Sequence, residues 1–467
     1  MSDSPGFRIE KDSLGELKVP ADAYYGVQSL RAVQNFPISG DPLPPEFIRA
    51  HAVLKKAAAL TNLQLGLLDE KRANAIAQAA DEIATGKLAD QFPLDIYQTG
   101  SGTSTNMNVN EVIASRANEI LGGKRGDKSP VHPNDHVNMG QSSNDTIPTT
   151  MHVSALVQIK EVLRPGLARL EESLRKKSRE TWDVIKTGRT HLQDATPIRM
   201  GQEFLGHAGQ VQRALRRLAA AENELAEVAL GGTAVGTGIN AHPRFASGVC
   251  KLLSSWLGIK IHETDNHFQA QSTLDAVAFC SGVLKCIAIS LTKIANDIRW
   301  MSCGPRAGLG EIEIPAVQPG SSIMPGKVNP VIAESILMVC QRVQGNDAAV
   351  TAAANTGNFE LIVAMPMAAE ALLESISLLG AATSNFAIQC IDGVKPTKRG
   401  PELVESGLML ATALAPVIGY ENAAAIAKEA DATGKTIREI ALVKTKLTAQ
   451  QLNELLDPAK MVEPLTK

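Results

Sequence analysis

Aromatic residues are scarce in this sequence, with Phe, Tyr and Trp together making up 4% of 467 residues. Strands favour aromatic and β-branched side chains, so a chain short of the former and rich in Ala and Leu points toward helices and away from a sheet core. Cysteine is scarce as well. The six thiols, Cys250, Cys280, Cys286, Cys303, Cys340 and Cys390, form no CxxC pair, and His262 and His267 lack the upstream pair that a zinc finger needs. Neither a disulfide framework nor a zinc module is indicated, and buried thiols in a reducing compartment fit best. No charge of one sign predominates: Lys+Arg 46 against Asp+Glu 49 gives a net charge of -3 and a pI near 6.3. Nothing global draws the chain to nucleic acid or to an anionic membrane, so an anionic ligand has to be held locally. No uncharged apolar run reaches the length of a bilayer span, and Met1 to Asp12 carries charges where a secretory segment needs an apolar stretch. The expectation is a soluble cytoplasmic protein without nucleic-acid or membrane partners.

What is abundant is helical periodicity. Leu156, Ile159, Leu163, Leu167, Leu170 and Leu174 are spaced by threes and fours and fall on one stripe, with Pro165 threatening a kink. Phe204, Val211, Leu215, Leu218 and Leu225 make a second stripe, and Val277, Leu284, Ile287, Leu291, Ile294 and Ile298 a third. A segment from about 368 to 390 has the same character. Helices of this length with heptad-like stripes pack as a bundle at shallow angles and continue into neighbouring subunits. The spacing therefore predicts a mixed N-terminal domain over 1–145, a central helical bundle over 146–395 and a small helical C-terminal domain over 396–467. In the last of these, Thr448 reads as an N-cap before Gln450, Leu452 and Leu455. No internal repeat is present.

Against this background four stretches concentrate small hydroxyls, amides and glycines: Thr99 to Asn110 (TGSGTSTNMNVN), Gln141 to Asp145 (QSSND), Gly188 to Pro197 (GRTHLQDATP) and Gly320 to Pro330 (GSSIMPGKVNP). In the last, glycines permit close backbone approach, Lys327 adds a point charge and Asn329 an amide donor, as an anion-binding loop requires. Taken singly, GSS and PG pairs are also ordinary turn residues. His191, expected at the end of a helix, is crowded by Arg189, Thr190 and Asp194, whereas His51, His152 and His207 read as satisfied structural histidines. His132 and His136, in VHPNDHVN, fit a turn equally well. Gly434-Lys435-Thr436 mimics a phosphate loop, but its upstream glycine position is Glu429, so a helix boundary is the better reading. Gly231, Gly232, Gly236 and Gly238 have neither the spacing nor the βαβ context of a dinucleotide fingerprint and read as a helix break.

Together the four stretches resemble the active-site segments of the fumarase/aspartase superfamily, in the family's order, and the likeness runs from about Phe7 to Met461. It implies a mostly α, three-domain fold whose central long helices form a homotetrameric core, with each active site shared between subunits. It also implies a small dicarboxylate substrate and neither metal nor cofactor. Ser143, Thr196 and Gly357-Asn358-Phe359-Glu360 lean toward class II fumarase, which hydrates fumarate to L-malate. Val331 and the wording of Arg31 to Gly40 lean toward the alternative, aspartate ammonia-lyase. Departures from the family pattern are Ile362, Met365 and the absence of an arginine near Ser129.

Position by position, the resemblance makes Ser321 the base that takes the C3 proton, His191 its partner on the leaving-group side and Glu334 the carboxylate that orients His191. Ser101, Gly102, Thr103, Ser142, Ser143, Asn144, Thr190, Ser322, Lys327 and Asn329 are expected to bind substrate. His132, Asn134 and Asp135 resemble a second, non-catalytic dicarboxylate site. A serine is normally too weak a base, so its loop has to supply backbone N–H donors and the Lys327 charge.

Overall fold

The computed structural model describes residues 6–464. An antiparallel hairpin of β1 (Phe7–Asp12) and β2 (Gly15–Pro20) opens the chain. Next come α1 (Val27–Asn35), α2 (Pro45–Gln64), α3 (Glu70–Ala84), α4 (Thr103–Ile120) and α5 (Ser143–Gln158). Helix α6 (Arg164–Glu180) leads into a second hairpin, β3 (Ile185–Thr190) with β4 (Gln193–Arg199). Beyond it lie α7 (Met200–Leu225), α8 (Phe245–Leu257), α9 (His267–Ser272), α10 (Asp275–Met301), α11 (Val331–Ala354) and α12 (Met365–Gln389), and then only short helices. Among the described residues every sheet has two strands, so the expected helical fold is what forms.

The apolar stripes are the buried faces of these helices. All six residues of the first stripe are at most 2% exposed, and so are all six of the third. In the second, Leu215 is only half-buried; the buried line runs instead through Ala208, Ala214 and Ala221, at the same helical spacing. Pro165 does not break its helix. Its missing N–H leaves the ladder one donor short, and the chain absorbs this with a π-turn over Ile159–Leu163 between α5 and α6, so the stripe continues.

The chain divides into two compact units. One is built from Met1–Arg164, Arg216–Ala288 and Gln341–Gly380, the other from Pro165–Leu215, Ile289–Cys340 and Ala381–Lys467. In the first unit α2 packs on α3, α5 and α8, and α3 also packs on α4. Helix α4 is buried on nearly every side although it is rich in Asn, so its polar side chains must find partners inside the protein. They do. Asn118 exchanges hydrogen bonds with Val131, Asn108 donates to the Gln91 carbonyl, and Glu111 accepts from the backbone N–H groups of Gly26, Gln28 and Ser29 at the start of α1.

In the second unit the β3–β4 hairpin packs against the helix Arg399–Glu405. Leu410, Leu414, Ile426, Ile437, Leu452 and Leu456 close a small separate core near the C-terminus. There Gly434, at φ 67°, ends one helix and Thr436 caps the next. Thr448 caps the helix after that, its hydroxyl accepting from the Gln451 N–H. Two helical stretches, Asp275–Met301 and Met365–Gly393, are long and apolar enough to cross a bilayer by length and composition. About half of each apolar window is buried within the chain itself, as in the core helices of a folded domain. None of the six thiols is in a disulfide, and burial pushes Cys250, Cys280 and Cys390 up to about 12.

The buried stripe generates a stability prediction. Leu170→Ala should lower unfolding stability by about 2–5 kcal/mol, whereas Val443→Ala, on a residue 79% exposed, should stay within about 0.5 kcal/mol, both read from urea midpoints.

Candidate active site

In the first unit the TGSGT and QSSND stretches are the starts of two helices. Gly102, at φ 70°, turns the chain into α4, and a side chain there would also collide with Ile147. Ser142 caps α5: its Oγ accepts from the Asn144 N–H, and Asp145 accepts in return from the Ser142 N–H at 2.9 Å. The two starts meet through a chain of hydroxyls. Ser101 Oγ lies 2.7 Å from Thr103 Oγ1, which lies 2.7 Å from Ser143 Oγ. Three predicted substrate-binding residues are thereby brought together at two helix N-termini, where unpaired backbone N–H groups and the helix dipoles favour an anion. Asn144 instead spends its amide on the Ala234 carbonyl at 2.8 Å.

Beneath these N-termini lies a buried polar layer that the sequence reading missed. Asp145 is fully buried and accepts from the N–H groups of Gly231 at 3.1 Å and Thr233 at 3.0 Å, which gives the glycine-rich segment a definite partner. Burial pushes its carboxyl up, against those N–H donors and the Lys55 charge. Lys55, also fully buried, donates to Asn138 and Gln141, and burial pulls its ammonium down to about 7. His51 bridges Asn106 and Thr150, and burial holds its ring well below the usual imidazole range. A signal was present: His51, Lys55 and Asn62 on α2, and Asn106 and Asn110 on α4, recur at the spacing of one helix face.

His132 has a local task in this fold. Its Nδ1 accepts from the N–H groups of Asn134 and Asp135, capping a π-turn over Pro133–Val137, and the Asp135 carboxylate lies 3.3 Å from it. Ile362 and Met365, the departures from the family pattern, are fully buried, and the Met365 N–H donates to the Gly100 carbonyl at 2.9 Å. Met365 thus anchors the TGSGT segment through its backbone, while its side chain fills the core.

In the second unit the structure corrects the expectation for His191. It does not end a helix but sits with Leu192 at the tip of the β3–β4 hairpin, at φ 56° and 60°, between the paired residues Thr190 and Gln193. A two-residue turn with both φ values positive matches the twist of a hairpin, which explains the conformation. Behind the tip, the wholly buried Glu311 faces Lys186 at 3.1 Å and Arg189 at 3.0 Å, and Lys186 reaches Glu203 at 2.8 Å. The hairpin is thus tied by paired charges to the segment that leads toward the GSS loop.

That loop is closed on itself. Gly320 donates to the Lys327 carbonyl at 2.9 Å, and the Asn329 amide donates to the Gly320 carbonyl at 2.5 Å. A side chain at Gly320 would strike the Lys327 carbonyl, so only glycine fits there. Ser321 Oγ accepts from the N–H groups of Ile323 at 3.2 Å and Met324 at 2.9 Å. Ser322 and Lys327 are exposed. Lys327, Asn329 and Glu334, the last in the first turn of α11, line a cavity of about 880 Å³ together with Arg299, Trp300 and Cys303. Among the described residues no hydrogen bond or ion pair joins His191 to Glu334 within the chain.

A family profile described as Lyase matches residues 15–345, and one described as Fumarase C C-terminus matches residues 410–463. The chain is 50% identical over 461 residues to fumarate hydratase class II 2 of Bradyrhizobium diazoefficiens, covering 98% of both chains. It is 50% identical to the mitochondrial fumarate hydratase of Homo sapiens, over 99% of this chain and 91% of that one. Among solved structures, the recombinant class II fumarase of Schistosoma mansoni superposes with a TM-score of 0.95 at 39% identity, covering 97% of this chain and 99% of that one. A fumarate lyase:delta crystallin from Brucella melitensis bound to cobalt does so with a TM-score of 0.94 at 48% identity, over 98% and 100%.

The capping arrangement predicts that Asp145→Asn, which turns an amide N–H toward backbone N–H donors, lowers stability by about 1–3 kcal/mol. The same change at the exposed Asp135 should lie within about 0.5 kcal/mol, again from urea midpoints.

Proposed function

The chain belongs to the class II fumarate hydratase family of the fumarase/aspartase superfamily, and from that premise we propose that it catalyses the reversible hydration of fumarate to L-malate. In the dehydration direction a proton leaves C3, next to a carboxylate, and the hydroxyl departs from the neighbouring carbon. The intermediate carbanion is viable only when its charge spreads into the carboxylate as a doubly charged aci-form, so the site must surround that group with donors and positive charge.

Ser321 is the base. The observation that carries this assignment is its pair of backbone donors: hydrogen bonds from Ile323 and Met324 stabilise an alkoxide more than a hydroxyl. Lys327 and Asn329, on the same loop, supply charge and an amide N–H to the aci-carboxylate. Ser101, Gly102, Thr103, Ser142, Ser143, Asn144, Thr190 and Ser322 hold the two substrate carboxylates. Here the linked hydroxyls of Ser101, Thr103 and Ser143 are the supporting geometry. His191 protonates the departing hydroxyl through water, and Glu334 orients it. Every step falls to a group of the chain itself, so the reading calls for no cofactor.

The reading includes a homotetramer whose sites draw on three subunits, so that a Glu334 from another copy reaches His191. In support, Phe279, Ile289, Trp300, Met338 and Ile388 on α10, α11 and α12 are roughly half exposed, more large apolar surface than a solitary helical domain leaves in water. His132, Asn134 and Asp135 are read as a second dicarboxylate site, and a cytoplasmic location fits six thiols of which none is in a disulfide.

The test is to incubate the purified protein with fumarate, with and without ammonium, and identify products by NMR. L-malate in both is the expected result. Aspartate formed only with ammonium, without malate, would overturn the substrate assignment in favour of ammonia-lyase chemistry.

A further inference from the structure

Lys55 is an unusual residue for the middle of α2. It is 0% exposed, so its ammonium cannot touch a ligand, and an ammonium removed from water is costly unless hydrogen-bond partners replace the water. Its neighbour Lys56 takes the ordinary surface role, pairing with Asp81.

The partners of Lys55 are specific. Nζ donates to Asn138 Oδ1 and to Gln141 Oε1, each at 2.9 Å, and these two residues bound the turn that ends one residue before Ser142. Asn138 Oδ1 also accepts from Asn106 and Asn110, both at 3.2 Å, on the first turns of α4. The Asn138 amide then closes the turn on the Gln141 carbonyl at 3.1 Å. One helical turn before Lys55, His51 Nε2 lies 3.2 Å from Asn106 on α4, and its Nδ1 lies 3.0 Å from Thr150 on α5. The two polar side chains of α2 therefore set α4 and α5 against one another. At the far end of that register, Thr103 and Ser143 meet at 2.7 Å. A slip of about 1 Å between the helices would open that contact beyond hydrogen-bonding distance.

We propose that Lys55 is a positioning residue for dicarboxylate binding: through Asn138 and Gln141 it holds the start of α5 in register with the start of α4, so that the hydroxyls of Ser101, Thr103 and Ser143 converge on one carboxylate. The inference deepens the functional reading above and rests on it. It also separates Lys55 from a merely structural role. Removing the ammonium leaves Gln141 Oε1 without its donor and Asp145 without a nearby positive charge, so either role predicts a lower urea midpoint for Lys55→Met, but only a positioning role predicts a change in the KM of the folded protein.

The experiment measures initial rates of fumarate hydration and malate dehydration for the full chain and for Lys55→Met, with urea midpoints alongside. The expected result is a KM at least tenfold higher for both substrates, with kcat within threefold, in a protein that is folded at assay conditions although its midpoint is lower. A folded Lys55→Met whose KM stays within twofold, or whose loss lies in kcat alone, overturns the proposal. Should Lys55→Met fail to fold, Gln141→Met removes one of the two acceptors and is expected to raise KM threefold or more; an unchanged KM there is equally fatal. If the unsubstituted protein makes no malate, the functional reading falls, and the Lys55 inference is decided by fumarate binding in isothermal titration calorimetry with the same tenfold criterion on Kd.

Discussion

A carboxylate and an ammonium shut away from water must each be met by partners of the right kind, and the interior of the first unit is organised around meeting that demand at Asp145 and Lys55. Asp145 gathers three backbone N–H groups, one from its own helix cap and two from the glycine-rich segment at Gly231 and Thr233. Lys55 gathers two side-chain amides from the turn that precedes the cap. Once those bonds are made, the origin of α5 has little freedom left, and the hydroxyl of Ser143 is delivered to that of Thr103. The hydroxyls that meet there are few and small; the groups that place them are numerous, buried and drawn from several helices.

The second unit applies the same rule with different residues. Glu311, with no exposure, is matched by Lys186 and Arg189, and the match fixes the root of the hairpin whose tip carries His191. The GSS loop needs no side-chain support of that kind, because its own backbone closes the ring between Gly320 and Lys327 and turns two N–H groups onto Ser321. On the proposed reading, these donors are what make a weak base usable, because they cost no reorganisation when charge develops.

How far the sequence disclosed this depends on which physical signal each part carries. The long helices announce themselves through apolar spacing, and even Pro165 leaves the stripe intact because a π-turn absorbs it. The four polar stretches are legible because hydroxyls and amides have no reason to crowd together in an Ala- and Leu-rich helical protein. The hairpin at His191 is hidden: GRTHLQDATP has no aromatic alternation, and His-Leu replaces the Asn-Gly that usually marks a two-residue turn. Lys55 is only half legible, for another reason. In the run Leu54-Lys55-Lys56-Ala57 nothing local separates the buried lysine from the one in solvent; only the helical spacing of Lys55 with His51 and Asn62 sets it apart, and the helices packed on that face decide its burial. Met365 shows the converse, a change from the family pattern whose side chain belongs to the core and whose backbone alone serves the site.

The central claim is that Ser321, held by its two backbone donors, is the base. The most direct measurement is the rate of fumarate hydration by Ser321→Ala, with circular dichroism and oligomeric state recorded on the same sample. The account predicts a fall in kcat of roughly 10²–10⁴-fold with fold and assembly unchanged. A folded variant turning over at close to the unsubstituted rate would contradict it.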